Sequence, residues 1–360
     1  MITGVIDQIS LSSFFATHTF SVSNAIQKAG SVDELKEASK SFIKIIKSLN
    51  AKGVKVEFIS KLINQLNRKV MLKLFQLTAP KALFDHACLI VMGSEGRGEQ
   101  ILKTDQDNAL IIADDCALSD EAIHTFTCKY TEHLVDFGFS RCEGNIMVSN
   151  PYWCRRKQNF KDLIYEWVTQ PSSENFMNLA IFYDAMAVSE DREMLEELKV
   201  YLFNVSSSSE SFYRLFAKVV MDFDVPLGVF NGFVLESKDK EHSHELDIKK
   251  GGLFIIVQGI RALSLEHQLL RANTLKRIEE LVALKVLDAS FALELSEALK
   301  FLLTIKLTSN LKKFDEQKTM DNYIDPEQLS MMDKDLLKDS FKIVCKLKKK
   351  LEMRYRLNYL

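Results

Sequence analysis

Two aspartates separated by a single residue are the residues of this sequence best suited to bind a metal ion. Asp105 and Asp107 stand just before an apolar segment, residues 108–113, whose pattern predicts a β-strand. Successive strand residues point to opposite faces of a sheet, so this spacing places both carboxylates on one face. Mg²⁺ takes oxygen ligands and commonly combines one or two carboxylates with the phosphates of a substrate. The pair therefore predicts a divalent-cation site.

A glycine-rich segment, GSEGRG at 93–98, comes shortly before the aspartates and follows the apolar residues 89–92, which predict a buried strand. Glycine allows positive φ and lets backbone N–H groups approach phosphate oxygens closely, and the Ser94 hydroxyl adds a donor. A helix starting after Ser94 would add the partial positive charge of its N-terminus. We expect Gly93 and Ser94 to hold the β and γ phosphates of a nucleotide, with Arg97 as a phosphate contact or a brace.

The two segments carry more information together than apart. The glycine spacing is not the dinucleotide fingerprint, and the segment lacks the lysine and Ser/Thr of a P-loop. An Asp-x-Asp at the start of a strand is commonly a solvated turn. Ten residues separate Ser94 from Asp105, and it is this joint spacing that favours a nucleotide site.

Gly-Ser followed by Asp-x-Asp between apolar residues resembles the signature of the nucleotidyltransferases of the DNA polymerase β superfamily. GSEGRGEQ at 93–100 with TDQDNALI at 104–111 is similar to the nucleotidyltransferase family related to PII-uridylyltransferase, whose members are often linked to CBS and cyclic-nucleotide-binding domains. The resemblance implies that Asp105 and Asp107 are catalytic and bind Mg²⁺ (or Mn²⁺). It also implies nucleotide-binding roles for Gly93, Ser94, Arg97 and Thr104.

A third carboxylate often lies on a later strand in that superfamily. Here residues 139–148 predict such a strand, after a predicted helix at 118–137. Glu143 is the acid available, and it is our predicted third metal ligand, although it stands beside a glycine rather than between apolar residues. The related proteins carry a similar Cys-x-Gly and Met-x-Ser-Asn-Pro run, which implies that Asn150 lines the nucleotide pocket.

Composition excludes several classes of partner. Lys plus Arg total 47 against 49 Asp plus Glu, so no overall field attracts nucleic acid or an anionic membrane. This counts against nucleotide addition to RNA. The six cysteines form no C-x-x-C pair, no apolar run reaches the roughly 20 residues that span a bilayer, and the N-terminus lacks a signal pattern. We expect a cytoplasmic protein.

Five prolines and 13 glycines in 360 residues favour long helices. Ser31 and Glu34 form a predicted capping box, and helical periodicity follows in residues 35–49 and 56–77, which predicts a helical hairpin. Four C-terminal helices are predicted at 253–270, 274–287, 290–314 and 329–355. The expected fold is α+β and mostly helical: a polymerase β-type core with a small mixed sheet, preceded by the hairpin and followed by a helical bundle.

The serine run at 206–209 is the clearest linker signal. We therefore expect an N-terminal helical segment at 1–78, a nucleotidyltransferase domain at 79–204 and a helical domain at 205–360. The last resembles the substrate-binding domain that follows the nucleotidyltransferase domain in the same family. Residues 1–12 resemble the closing strand and helix of a CBS module, which predicts a ligand-sensing region upstream; a frayed N-terminal arm is the alternative.

The C-terminal part offers two weaker candidate sites. Lys249 and Lys250, beside two glycines, either reach a phosphate as point charges or begin a helix in solvent. His242 and His244, with acidic neighbours, invite a zinc site, but no third patterned ligand accompanies them, and a surface loop is the simpler interpretation.

Two further groups of polar residues lie among apolar ones. Asp184, on an apolar helix, either faces a polar cleft or pairs with an arginine, and Arg261 on another apolar helix is expected in a cleft. Trp153 and Trp167 flank the basic residues 155–157. They form either an aromatic and basic wall for a nucleotide or the packed side of a helix.

These features predict transfer of a nucleoside monophosphate from an NTP to a hydroxyl of a protein or small molecule, with a role in signalling or regulation. The similarity to PII-uridylyltransferase suggests a protein acceptor, although the fold does not identify it. The alternative is a regulatory module that senses nucleotides with little or no transfer activity.

Overall fold

The computed structural model describes residues 20–189, 191–228, 230–237 and 241–359. Residues 1–12, on which the CBS expectation depends, lie outside this range. The chain divides into two compact units. The first extends to Phe160 and includes Met186–Leu195, and the second comprises Lys161–Ala185 and the chain from Glu196 onward. Within the described ranges, no helix is both long enough and apolar enough to cross a membrane.

Helices open the first unit, as the periodicity predicts. Residues 20–28 are helical, and α1 (Val32–Lys40), α2 (Phe42–Ala51) and α3 (Val56–Thr78) follow. The Ser31 hydroxyl caps α1 by accepting from Glu34 N at 3.2 Å, while the Glu34 carboxylate accepts from Gly30 N. The predicted single helix over 35–49 is divided at Ser41. The apolar faces of α1 and α2 pack against α3, which confirms that the two predicted helical segments form a hairpin.

The first unit contains a small mixed sheet. Its strands are β1 (Ala87–Val91), β3 (Asn108–Ile112), β5 (Cys154–Arg156) and β6 (Met186–Ala187), in the order β5-β3-β1-β6. β1 is antiparallel to β3 and β6, and β3 is parallel to β5. Every residue of β1 and β3 is buried, which explains why both read as unbroken apolar runs. The fold is the expected mostly helical α+β.

Short elements connect and flank these strands. They are α4 (Lys81–Phe84), α5 (Gly93–Gly96), β2 (Asp105–Gln106), α6 (Asp120–Asp136) and β4 (Ser140–Arg141). β2 pairs in parallel with β4. The predicted helix at 118–137 is confirmed as α6, and Gly138 follows it with φ of +90°.

The predicted strand over residues 139–148 is wrong in length. Only Ser140–Arg141 form a strand, because the chain turns at Asn145, whose φ is +54°. The segment after the turn contacts Asn108 instead: Asn108 N donates to Ile146 O, and the Asn108 side chain accepts from Val148 N. These bonds satisfy the backbone without a continuous ladder.

The second unit is almost entirely helical. A two-stranded ladder of β7 (Leu246–Asp247) and β8 (Tyr323–Ile324) accompanies the helices. The predicted C-terminal helices are confirmed as a set whose longest members pack together. The helices are α7 (Lys157–Thr169), α8 (Ser173–Tyr183), α9 (Glu193–Ser206), α10 (Glu210–Lys218), α11 (Phe254–Glu266), α12 (Thr274–Ala283), α13 (Ala289–Asp315) and α14 (Met331–Tyr355), of which α7 and α9 begin in the first unit.

The serine run has a local structural role. α9 ends at Ser206, which is buried, and Ser209 caps α10 by accepting from Phe212 N at 3.3 Å. The domain boundary near residue 204 stays a prediction.

Candidate active site

The chain bends sharply where β1 ends. Met92 is still extended, and Gly93 enters α5 with φ of +54°, in the left-handed region that favours glycine. The single turn of α5 is closed by Gly96 N donating to Met92 O, and Glu99 N then donates to Ser94 O. Because α5 has only four residues, the expected helix-dipole contribution at Ser94 is small.

Gly93 lies directly against Asp107. Val91 pairs with Asn108 at the end of the β1–β3 ladder, and Met92 N donates to Asp107 O at 2.9 Å, which brings the bend beside the second aspartate. A Cβ at Gly93 would lie only 2.2 Å from Asp107 Oδ2. The glycine therefore makes room for the carboxylate.

Asp105 and Asp107 converge as the alternation predicts. Each offers a ligand atom that lies, with Cys142 Sγ, in a group whose members are all within 4.8 Å of one another. Gln106, between them, is buried on the other side, and its amide donates to Thr131 O. Asp105 is exposed and Asp107 is half-buried, so the group is open to solvent on one side.

Cys142, rather than Glu143, is the third member of this group. Glu143 is exposed and does not belong to the group. Burial, with the Asp107 charge and a hydrogen bond to Asp107, raises the pKa of the Cys142 thiol to about 12, so the thiol is protonated and donates to the carboxylate. The parallel register of β2 and β4 selects Cys142, and two-residue strands carry too little sequence pattern to predict that register.

Glu95 is a buried residue of the bend that connects it to α3, and the sequence alone gave no sign of this role. It is 3% exposed and accepts from Asn67 Nδ2 of α3 at 3.0 Å. Burial raises the pKa of Glu95 to about 8, against the Asn67 hydrogen bond and the Arg68 charge, and the Asp107 charge raises it further. Among the described residues, Glu95 Oε1 and Arg68 Nε have no hydrogen-bond partner. A neutral Glu95 adds no third negative charge near the aspartates.

Arg97 and Thr104 brace the loop between the bend and β2. Arg97 Nε lies 2.7 Å from Glu99 Oε2, and both side chains are largely buried. Thr104 Oγ1 lies 2.8 Å from the Gln100 amide, and Thr104 O accepts from Ser140 N. The geometry agrees with the brace alternative for Arg97.

Asn150 and the two lysines make local contacts within their own segments. Asn150 ties its own loop together, donating to Asn145 O and accepting from Tyr152 N. Lys249 and Lys250 are exposed in the second unit, in a π-helical turn, Lys249–Leu253, that leads into α11. Lys250 N donates to Asp247 Oδ1 at 2.9 Å, as expected at the start of a helix.

The zinc interpretation of the histidines gains no support. His242 stacks on Tyr323 with ring centroids 3.7 Å apart and bonds Glu245. Across the described ranges, the Asp105 group is the one set of three or more side chains suited to a metal ion.

Asp184 forms the salt bridge that the sequence analysis left as one alternative. It is fully buried and pairs with Arg261 and with Arg277, whose Nη1 lies 2.6 Å from Asp184 Oδ1. Arg261 therefore serves this buried network.

Trp153 and Trp167 are both buried. Arg156 donates to backbone carbonyls, including Cys116 O at 3.1 Å. The burial of both rings agrees with the packing alternative for this segment, although Arg156 contacts backbone rather than only solvent.

Two family models match the chain. Residues 40–174 match the family described as "Putative nucleotidyltransferase DUF294", and residues 210–355 match the "Putative nucleotidyltransferase substrate binding domain". The first match contains the bend, both aspartates and Cys142. The chain belongs to this nucleotidyltransferase family. No curated protein matches it in sequence. Membership in the nucleotidyltransferase family agrees with the resemblance carried by the Gly-Ser and Asp-x-Asp motifs.

Proposed function

We propose that this chain is a Mg²⁺-dependent nucleotidyltransferase that moves a nucleoside monophosphate from an NTP to a hydroxyl of a protein or small molecule. The observation that carries the proposal is the convergence of Asp105 and Asp107 beside a bend where Gly93 leaves space for the carboxylate. Family membership supports the reaction class.

The residues present fit a hard divalent ion. Two carboxylates, one of them exposed, match the oxygen donors that Mg²⁺ or Mn²⁺ takes beside substrate phosphates. Asp105 and Asp107 would hold the ion. When bound, such an ion would supply positive charge that offsets the negative charge developing during phosphoryl transfer.

The remaining residues position the nucleotide. We expect the Ser94 hydroxyl and backbone N–H groups of the bend to contact the phosphates. The Arg97–Glu99 pair keeps the following loop in place. The buried Glu95 anchors the bend to α3 through Asn67. The substrate-binding domain would present the acceptor, and Lys249 and Lys250 are its proposed anion contacts.

A signalling or regulatory role in the cytoplasm completes the proposal. None of the six cysteines forms a disulfide, which suits a reducing compartment. A second candidate function, a nucleotide-sensing module with little transfer activity, is favoured by one observation: a thiol stands where a third carboxylate was expected.

The test separates these functions. The chain is incubated with each labelled NTP, Mg²⁺ and candidate acceptors, and both NTP binding and label transfer are measured. We expect transfer that disappears in Asp105→Asn with Asp107→Asn, while the exposed Asp115→Asn control keeps it. Binding without transfer would support the sensor, and absence of NTP binding would contradict both functions.

A further inference from the structure

The Asp105–Asp107–Cys142 group mixes oxygen and sulfur ligands at one point. β2 and β4 are parallel, with Asp105 opposite Ser140 and Gln106 opposite Arg141. One residue further along each strand direction, Asp107 and Cys142 lie side by side. The Cys142 backbone is fixed there because its carbonyl accepts from Asn145 N at 2.9 Å, at the turn that ends the strand.

The two carboxylates alone suit Mg²⁺, but together with the Cys142 thiol they also suit a softer class of ion. Magnesium binds oxygen almost exclusively, whereas Zn²⁺, Co²⁺ and Cd²⁺ accept thiolate together with carboxylate. On a tetrahedral zinc, a sulfur at about 2.3 Å and an oxygen at about 2.1 Å lie roughly 3.6 Å apart. The ligand atoms here are all within 4.8 Å of one another, so side-chain adjustments of about 1 Å would close the set.

We propose that a thiophilic divalent ion, of the Zn²⁺ class, binds across Asp105, Asp107 and Cys142 and excludes Mg²⁺ from the same two carboxylates. On binding, the Cys142 thiol loses its proton to solvent and forms a metal–sulfur bond, with no change of oxidation state. Ion binding itself stands on the geometry alone. The exclusion of Mg²⁺, and hence inhibition, rests on the proposed function.

Another cysteine provides the matched control. Cys128 is also half-buried, in the same unit, and its Sγ lies 3.6 Å from His124 Nε2. Within the part of the chain that the structure describes, this pair belongs to no group of three suitable ligands. Cys128→Ser removes a thiol with an adjacent nitrogen donor and leaves the Asp105 group intact.

Co²⁺ reports the metal–sulfur bond directly, because thiolate coordination produces a charge-transfer absorption in the near ultraviolet. The full chain, Cys142→Ser and Cys128→Ser are each titrated with Co²⁺, with circular dichroism to check folding. We expect a band that saturates at one ion per chain in the wild type and in Cys128→Ser, that is lost in Cys142→Ser, and that Zn²⁺ abolishes by displacement. Absence of the band in the wild type, or its persistence in Cys142→Ser, would overturn the proposal.

A second variant protects the test against misfolding of Cys142→Ser. Asp105→Asn keeps the thiol but removes one exposed ligand, and we expect Co²⁺ affinity to fall at least tenfold. An unchanged affinity would show that the carboxylates do not share the ion.

Nucleotide binding then tests the exclusion. A fluorescent NTP is bound in excess Mg²⁺ and Zn²⁺ is added. We expect Zn²⁺ to weaken NTP binding to the wild type at a concentration at least tenfold lower than for Cys142→Ser. Equal sensitivity would overturn the exclusion. If the wild type binds no NTP in Mg²⁺ alone, the proposed function fails while the Co²⁺ result stands by itself.

Discussion

Replacement of Gly93 by alanine tests the geometry of the site most directly. A Cβ at this position would lie 2.2 Å from Asp107 Oδ2, far closer than Cβ atoms approach a non-bonded neighbour. The Asp107 carboxylate stands at the far end of a short side chain, and we expect it to turn away from the added methyl group, out of its contact with Cys142, while the backbone keeps its position. We therefore expect Gly93→Ala to separate Asp107 from Asp105 while the fold remains intact.

The expected effects on stability and on metal binding differ in size. A non-glycine residue in the left-handed region costs about 1–2 kcal/mol, and the lower entropy of the unfolded alanine chain offsets about 0.4–1 kcal/mol of that. The free energy of unfolding should fall by about 1 kcal/mol. Changing a partner that merely orients a metal ligand weakens binding 10–100-fold, so displacing Asp107 itself should weaken Mn²⁺ binding at least about tenfold.

Gly53→Ala is the matched control, because Gly53 has φ of +69° and a Cβ there would meet nothing within 4 Å. Urea unfolding measures stability, and Mn²⁺ electron paramagnetic resonance measures free and bound ion. Both variants should lose similar stability, and only Gly93→Ala should lose Mn²⁺ affinity. If Gly93→Ala binds Mn²⁺ like the wild type, the reasoning about this contact is refuted.

Two further predictions concern buried acids. Asp184→Asn leaves Arg261 and Arg277 buried without their carboxylate, so the free energy of unfolding in urea should fall by about 3–5 kcal/mol. As a control, the exposed Asp339→Asn should change the free energy of unfolding by less than about 0.5 kcal/mol. Similar losses of stability in the two variants would contradict a stabilising role for the Asp184–arginine salt bridges. Glu95 has a folded-state pKa near 8, above its ordinary value, so the folded state favours the protonated form and wild-type stability should fall as pH rises from about 5 to 8. Glu95→Gln should lack this contribution, and urea unfolding curves with the same pH dependence for both proteins would refute the assignment.

The elements that carry the nucleotide motif could be predicted because their signals are local. β1 and β3 are buried on both faces and read as apolar runs, and the glycines mark the bend between them. Asp105 and Asp107 follow from strand alternation, which needs no knowledge of distant residues. The long helices follow from periodicity in the same way.

Residues whose role depends on tertiary neighbours could not be found this way. Glu95 reads as an ordinary polar residue in a glycine-rich turn. Its burial results from α3, which supplies Asn67 and Arg68 from 27 or 28 positions earlier in the chain. A charged side chain is expected in solvent unless its partners are known, and periodicity does not give partners.

The choice between Cys142 and Glu143 shows how strongly the site depends on strand register. Neighbouring residues of a strand face opposite sides, so a slip of one residue between β2 and β4 would exchange the two. The observed pairing of Asp105 with Ser140 puts Cys142 beside Asp107 and leaves Glu143 in solvent. Register in so short a strand is set by surrounding contacts, here Thr104 O accepting from Ser140 N and the turn at Asn145. Backbone hydrogen bonds of Thr104, Ser140 and Asn145 therefore decide that a thiol, and not a third carboxylate, stands beside the two aspartates.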